Sequence, residues 1–275
     1  MVDVIGVGQI VIWQGGSLWI GESRGPTRRH AHHAIQLSIA LSGELRFTIE
    51  GLPGWHEFRA ALVPPHVEHA FDAAGSLVAN LFCEPESLVG RRLLARFGAD
   101  RITPLPADEI EALSRHMYRC YLETADEAAL QGTATSALQM LTEQAPAAGA
   151  PDPRITKAID AIWRLLSQPM TLNQIAAAVH LSPSRFRHLF VTETGLPFRR
   201  YVLWQRLQRA LQLAGAGTSW SQAAHESGFA DAAHLVRTFR RMFGIAPTSV
   251  VRSALLPGKP AMADRPGGAG EKPLR

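Results

Sequence analysis

Six of the eleven histidines fall between positions 30 and 69. His30, His32 and Gln36 share parity, so on one strand their side chains would point to one face. His69 follows on a later β-prone run. Imidazole nitrogens suit divalent Zn, Ni, Cu or Fe(II), and three neutral histidines with an amide oxygen would hold such an ion with little charge compensation. The same four residues could instead hydrogen-bond an organic effector, and both chemistries stay open at this point. His33 has the opposite parity and is expected at the surface. His56 and His66 have turn-like neighbours and receive no role.

A second set of residues could read a polyanion. Ser182 can cap a helix with Pro183 at its first position, where proline is best tolerated. In that helix Phe186, Leu189 and Phe190 are apolar, which leaves Ser184, Arg185, Arg187 and His188 on the outer face. The pattern returns about 50 residues later. Asp231 caps a helix with Leu235, Phe239 and Met242 inside and His234, Arg237, Arg240 and Arg241 outside. Most of these arginines are expected to contact phosphate, which fixes register without reading sequence, while His188 and His234 could reach base edges or sit beside the backbone. Arg187 and Arg237 lie mid-helix and are the candidates for guanine contacts. No serine or cysteine nucleophile motif, phosphate loop or dinucleotide fingerprint is evident, so no catalytic residue is assigned.

The elements that must position these residues differ between the two halves of the chain. Up to about residue 85 short β-prone runs alternate with glycine and proline punctuation, the pattern of a barrel or sandwich. Leu93, Leu94 and Phe97, then Ile110, Leu113, Met117 and Tyr121, then Leu130, Leu138 and Leu141 have helical spacing. Beyond residue 153 everything reads as helix. Short helices flank the turns His180-Leu181 and Gly228-Phe229-Ala230, giving two helix-turn-helix units. A longer helix over 198–214, about 25 Å by its rise per residue, joins them.

Charge divides the chain at the same place. Residues 1–150 carry 11 Lys and Arg against 17 Asp and Glu, and residues 151–256 carry 13 against 5. The basic part is therefore the one expected to meet a polyanion. The linker is placed at 146–153, where Pro146, Pro151 and Pro153 cannot continue a helix. Residues 254–275, rich in Pro, Gly and charge, are expected to be a disordered tail.

Residues 154–252 resemble the DNA-binding domain of AraC/XylS-type transcriptional regulators. The resemblance rests on Leu181-Ser182-Pro183-Ser184, Phe190, Glu193-Thr194-Gly195-Leu196-Pro197-Phe198, Tyr201, Arg206-Leu207, Ala210, Gly228-Phe229, Phe239-Arg240-Arg241 and Gly244-Ile245-Ala246-Pro247. The sequence departs from the family at Ala223, Leu235 and Val250, where a larger aliphatic, an aromatic and a tyrosine are usual. The histidine spacing is in turn similar to the metal motif of cupins, with Gln36 in the place of the usual glutamate, His66 in that of a glycine and Ala73 in that of an asparagine. A cupin-like barrel is also the usual sensory domain of the regulators resembled.

The expected fold is therefore α+β in two domains. A cupin-like barrel (about 1–85) with helices (about 86–145) precedes an all-α domain at 154–253, with two helix-turn-helix units on a linker helix. The function implied is sequence-specific DNA binding, activating or repressing, in response to a small-molecule or metal effector. The partners implied are double-stranded promoter DNA, RNA polymerase and a second copy of the chain, paired through the apolar faces of residues 86–145. The competing reading is a metal-dependent cupin oxygenase or isomerase with a helical appendage. No run reaches 18 apolar residues, the first residues lack a basic leader, and there are only two cysteines, so no membrane span is expected and a reduced, cytoplasmic setting is.

Overall fold

The computed structural model describes residues 6–123 and 126–252; the expected tail falls outside them. The amino-terminal part is sheet-rich. Its strands are β1 (Gly6–Trp13), β2 (Gly16–Ser23), β3 (Ile35–Ala40), β4 (Leu45–Phe47), β5 (His56–Phe58), β6 (Ala60–Val63), β7 (Phe71–Asp72), β8 (Leu77–Cys83) and β9 (Thr103–Pro104). They form two sheets. One runs β10-β1-β2-β8-β3-β6-β9, where β10 is Val250–Arg252 from the end of the described chain; the other runs β5-β4-β7.

Both faces of β3 are covered, so all six of its residues are buried. Ile35, Leu37 and Ile39 face one core with Leu18, Ile20, Leu62 and Leu81. The helices α1 (Leu88–Phe97), α2 (Ala107–Glu123) and α3 (Glu127–Glu143) cover that core with Leu93, Ile110, Leu113, Met117, Leu130 and Leu141. The alternate residue Ala40 packs with Leu45, Phe47, Ala61, Val63, Phe71 and Val78 in a second core between the two sheets. Gln36 lies on this second side, by the same alternation.

One expectation needs correction here. The apolar faces of residues 86–145 were offered as a surface for pairing protomers, but they are consumed by the sheet of the same chain. What α3 leaves outside is small and polar, with Met140 the exposed large hydrophobic on that helix.

The carboxy-terminal part is helical: α4 (Pro153–Arg164), α5 (Leu172–Ala178), α6 (Pro183–Thr194), α7 (Phe198–Gly215), α8 (Trp220–Glu226) and α9 (Ala232–Phe243). Every start except that of α7 has a side-chain cap. Thr171 and Gln174 form a reciprocal capping box on α5, while Ser182, Ser219 and Asp231 cap α6, α8 and α9 through their side-chain oxygens. The first unit has its own core of Ile155, Ile162, Ile175, Phe186, Phe190 and Tyr201. The second does not stand alone: Trp204, Leu207, Phe239 and Phe243 share one cluster with Ala34 and Phe82 of the sheet-rich part. Ala223 and Leu235, where the sequence departs from the pattern it resembles, are both fully buried.

Candidate functional site

The outer faces of α6 and α9 place the basic residues as their spacing requires. Ser184, Arg185, Arg187 and His188 are exposed on α6, opposite buried Phe186 and Phe190. Arg237, Arg240 and Arg241 are exposed on α9, opposite buried Leu235 and Phe239. His234 is half-buried, its ring edge-on to Phe229 at 5.2 Å. Between the two helices runs α7, 18 residues or about 27 Å long.

His30, His32 and His69 come together, but not by the expected route. His30 and His32 lie on irregular chain before β3, and His30 pairs with His69 through an isolated bridge whose two N–H groups donate at 2.9 and 3.0 Å. Their ligand atoms nevertheless lie within 4.8 Å of one another, and all three side chains are buried. Each Nδ1 faces a backbone carbonyl two residues away: Arg28 at 2.8 Å, Ala34 at 2.8 Å and Val67 at 2.9 Å. A carbonyl only accepts, so each Nδ1 carries the proton and each Nε2 presents a lone pair. This is the arrangement that orients metal-binding imidazoles.

The electrostatics agree. Burial holds His30 below its ordinary pKa, burial and the neighbouring histidines hold His69 well below, and burial with the charge of His30 takes His32 down to about 3. The rings are therefore neutral. His32 Nε2 then meets Gln36 Oε1 at 2.9 Å, and a neutral imidazole has one proton for two acceptors. Turning the Gln36 amide over would supply a donor there. It would also set the amide oxygen against Ser38 Oγ, whose proton goes to Asn80 Oδ1 at 2.6 Å. His69 Nε2 is buried with no partner at all. A cation among His30, His32, His69 and Gln36 Oε1 satisfies these lone pairs together, so the residues fit a divalent metal.

A cavity of about 100 Å³ adjoins the histidines, with Trp19, Phe82 and Phe243 among its walls and His30, Gln36 and Asn80 among its polar lining. Phe243 is the last residue of α9, 4.9 Å from Trp19 and 5.8 Å from Phe82 between ring centroids. Next to it Gly244 takes a left-handed backbone, and its carbonyl accepts from Arg28 N–H at 3.1 Å. One helical end thus touches the histidine site directly.

His33 overturns its expectation. It is buried, because it sits in a loop where strand parity does not apply. Its Nε2 donates to Glu86 Oε2 at 3.1 Å and lies 3.5 Å from Glu84 Oε2. From α7, Tyr201 donates to Glu86 Oε1 at 2.6 Å and Trp204 Nε1 to Glu84 Oε1 at 2.8 Å. Burial would lower His33, but the hydrogen bond and charge of Glu86 hold it above its ordinary value. Burial and the charge of Glu86 push Glu84 up, while the bond and charge of His33 outweigh burial and bring Glu86 down. Glu84 and Glu86 escaped the sequence reading. Their signal was two carboxylates either side of Pro85 at the end of an apolar strand.

A family model described as a helix-turn-helix domain matches residues 175–253. The transcriptional activator RhrA of Rhizobium meliloti is 36% identical over 93 residues, which are 33% of this chain and 29% of that protein. The first five curated relatives are matched over only 29% to 37% of their own length. The HTH-type transcriptional regulator NimR of Escherichia coli is 24% identical over 223 residues, 79% of this chain and 80% of that one. The crystal structure of ToxT from Vibrio cholerae superposes with a TM-score of 0.54 over 86% of this chain and 96% of that chain, at 13% identity, a likeness of fold alone. No helix among the described residues is long and apolar enough to cross a membrane. The helix-turn-helix domain at residues 175–253 is of the AraC/XylS type and is the part of the chain shared with these transcriptional regulators.

Proposed function

We propose that the chain is a transcriptional regulator that binds promoter DNA through α6 and α9 and responds to an effector held between its two sheets. The observation that carries the reading is the pair of exposed basic helices at the two ends of α7. A 27 Å spacer suits two reading helices in successive major grooves, one DNA turn or about 34 Å apart. Ser184, Arg185, Arg187, His188, His234, Arg237, Arg240 and Arg241 are the proposed DNA contacts, with Arg187 and Arg237 reading guanine.

The two facing sheets act as a cupin-like sensor. His30, His32, His69 and Gln36 are its proposed ligands to a divalent metal, which would supply a Lewis-acidic anchor. With no carboxylate among those donors, the charge of the ion stays open to an anionic small molecule in the adjoining cavity. One structure of ToxT holds an unsaturated fatty acid, which supports a carboxylate as the kind of molecule such a fold accepts. Signal passes by population shift: the effector favours the arrangement in which Phe243 and Gly244 of the second unit lie against the histidines. RNA polymerase and a second copy of the chain are the proposed protein partners. The domain boundaries proposed are 1–145, a linker at 146–153 and 154–253, and the proposed setting is cytoplasmic.

Capture of genomic fragments by the full chain, with and without divalent metal, tests this. The expected result is a defined set of promoters whose binding weakens steeply as salt rises, since arginine–phosphate contacts release counterions. Binding indifferent to both sequence and metal would sink the reading. The second reading, a cupin oxygenase or isomerase, shares the histidines but leaves α6 and α9 without a task; substrate turnover by the metal-loaded chain would favour it.

A further inference from the structure

The helices α6 and α9 are built to one template. Each has 12 residues, opens on a side-chain cap that accepts from the backbone N–H three residues on, and closes on a left-handed glycine. Counted from the caps Ser182 and Asp231, the fourth and eighth residues are buried in both: Phe186 and Phe190 on α6, Leu235 and Phe239 on α9. The outer faces therefore correspond residue by residue. At about 3.6 residues per turn, the second, fifth, sixth and ninth residues after the cap fall on one stripe away from that buried pair.

The two stripes differ. On α6 the residues are Ser184, Arg187, His188 and Val191; on α9 they are Ala233, Val236, Arg237 and Arg240. The fifth position thus exchanges Arg187 for Val236, and the ninth exchanges Val191, 38% exposed, for Arg240. Ala233 is exposed and Val236 half-buried. A single valine at a protein surface is ordinary and asks for no partner. Val236 is not single: Ala233, three residues earlier, is its neighbour on the same side of the helix, and Arg237 and Arg240 lie beside the pair. The core draws on α9 through Leu235, Phe239 and Phe243, with Ala232 and Met242 packed against it, and Ala233 and Val236 stand outside that set.

We propose that Val236, with Ala233 beside it, selects thymine in the major groove by covering its C5-methyl group. This role rests on the regulator reading, with α9 in the groove. The first turns of such a helix are the ones that meet base edges, and a small apolar side chain is the contact that the thymine methyl accepts. A cytosine in its place presents an amino donor, which valine covers without offering an acceptor. Arg187 takes guanine at the equivalent step of α6. The two halves of the site are therefore unlike, and the chain binds it in one orientation.

Selection from a random duplex pool by the full chain gives the site for the test. Each thymine of that site is then replaced in turn by deoxyuridine, which keeps the base pair and removes only the methyl, and affinity is read by fluorescence anisotropy. One replacement is expected to weaken wild-type binding about fourfold, the worth of one buried methyl. Val236→Ala should bind the thymine and deoxyuridine duplexes alike at that position, while Arg187→Ala, on the other helix, keeps the difference. Val236→Arg, which copies the step of α6, should turn the base selected there from thymine to guanine, a gain that a misfolded chain does not produce. A site in which no thymine methyl matters, a fourfold preference kept in full by Val236→Ala, or thymine still selected there by Val236→Arg overturns the role of Val236 and leaves the regulator reading standing. A pool in which no sequence is enriched sinks that reading and this role together.

Discussion

Gly195 and Gly244 offer a measurement of how tightly the second helix-turn-helix unit is held against the histidine site. They close α6 and α9 in the left-handed region, at φ 71° and 68°, and both donate to the carbonyl four residues back. Alanine at either position pays about 1–2 kcal/mol for that backbone. The surroundings differ. A Cβ on Gly195 meets nothing within 4 Å, whereas one on Gly244 would overlap the Arg28 carbonyl and come within 2.7 Å of His30 Nδ1. The carbonyl belongs to backbone that itself bonds Gly244, so it cannot swing aside. Overpacking of this kind costs about 1–3 kcal/mol. Gly195→Ala should therefore destabilise by about 1–2 kcal/mol and Gly244→Ala by about 2–5 kcal/mol. Urea denaturation of the full chain followed by tryptophan fluorescence reads both, and metal titration should show weaker binding in Gly244→Ala only. Equal costs with unchanged metal affinity would refute the idea that α9 bears on His30.

Other outcomes follow from the same geometry. In chelator-treated protein the unfolded chain protonates His32 from about 6.5 downward, while the folded chain does so only near 3, so stability is full above that range and falls as pH drops. The slope from this residue is about 1.4 kcal/mol per pH unit, and stability unchanged between about pH 7 and 5 would contradict a buried neutral ring. Elemental analysis should find metal in the wild type and more in Gln36→Glu, which adds an anionic ligand; metal in neither would end that assignment. Arg187→Ala and Arg237→Ala should each relax base preference in a different half of one site, at about 1–3 kcal/mol, read by binding-site selection, and uniform weakening would demote both to phosphate contacts. Sedimentation should find the full chain dimeric at micromolar concentration; a monomer would remove the second copy as a partner.

The helical half was the more legible in sequence because its information is local. Ser182-Pro183 and Asp231 announce helix starts, and the spacing of Phe186 and Phe190 or Leu235 and Phe239 decides which side the arginines take. The sheet-rich half yielded its histidine set for a reason that was partly wrong. Parity on a single strand was invoked, yet His30 and His32 sit on loop backbone and meet His69 through a bridge 39 residues away in sequence. The same assumption sent His33 to the surface. Its partners Glu86 and Tyr201 are 53 and 168 residues distant, and no periodicity carries information over such separations. The α2 and α3 stripes misled differently: an apolar face shows that something is covered, not whether the cover is the same chain.

The placement of β10 beside β1 has a further consequence. The two pair in parallel, Gly6 with Val250 through Gly8 with Arg252, so the last described strand completes the sheet edge begun by the first. The chain is thus fastened to itself at both ends of its helical half, once by covalent connection and once by a removable ladder. If that ladder opens, β1 is left as a bare edge whose free N–H and C=O groups accept any strand of the right register. The best-matched strand is the β10 of another copy. Exchange of that short segment would link two chains with the hydrogen bonds each already makes alone, a swap governed by concentration rather than by any new interface.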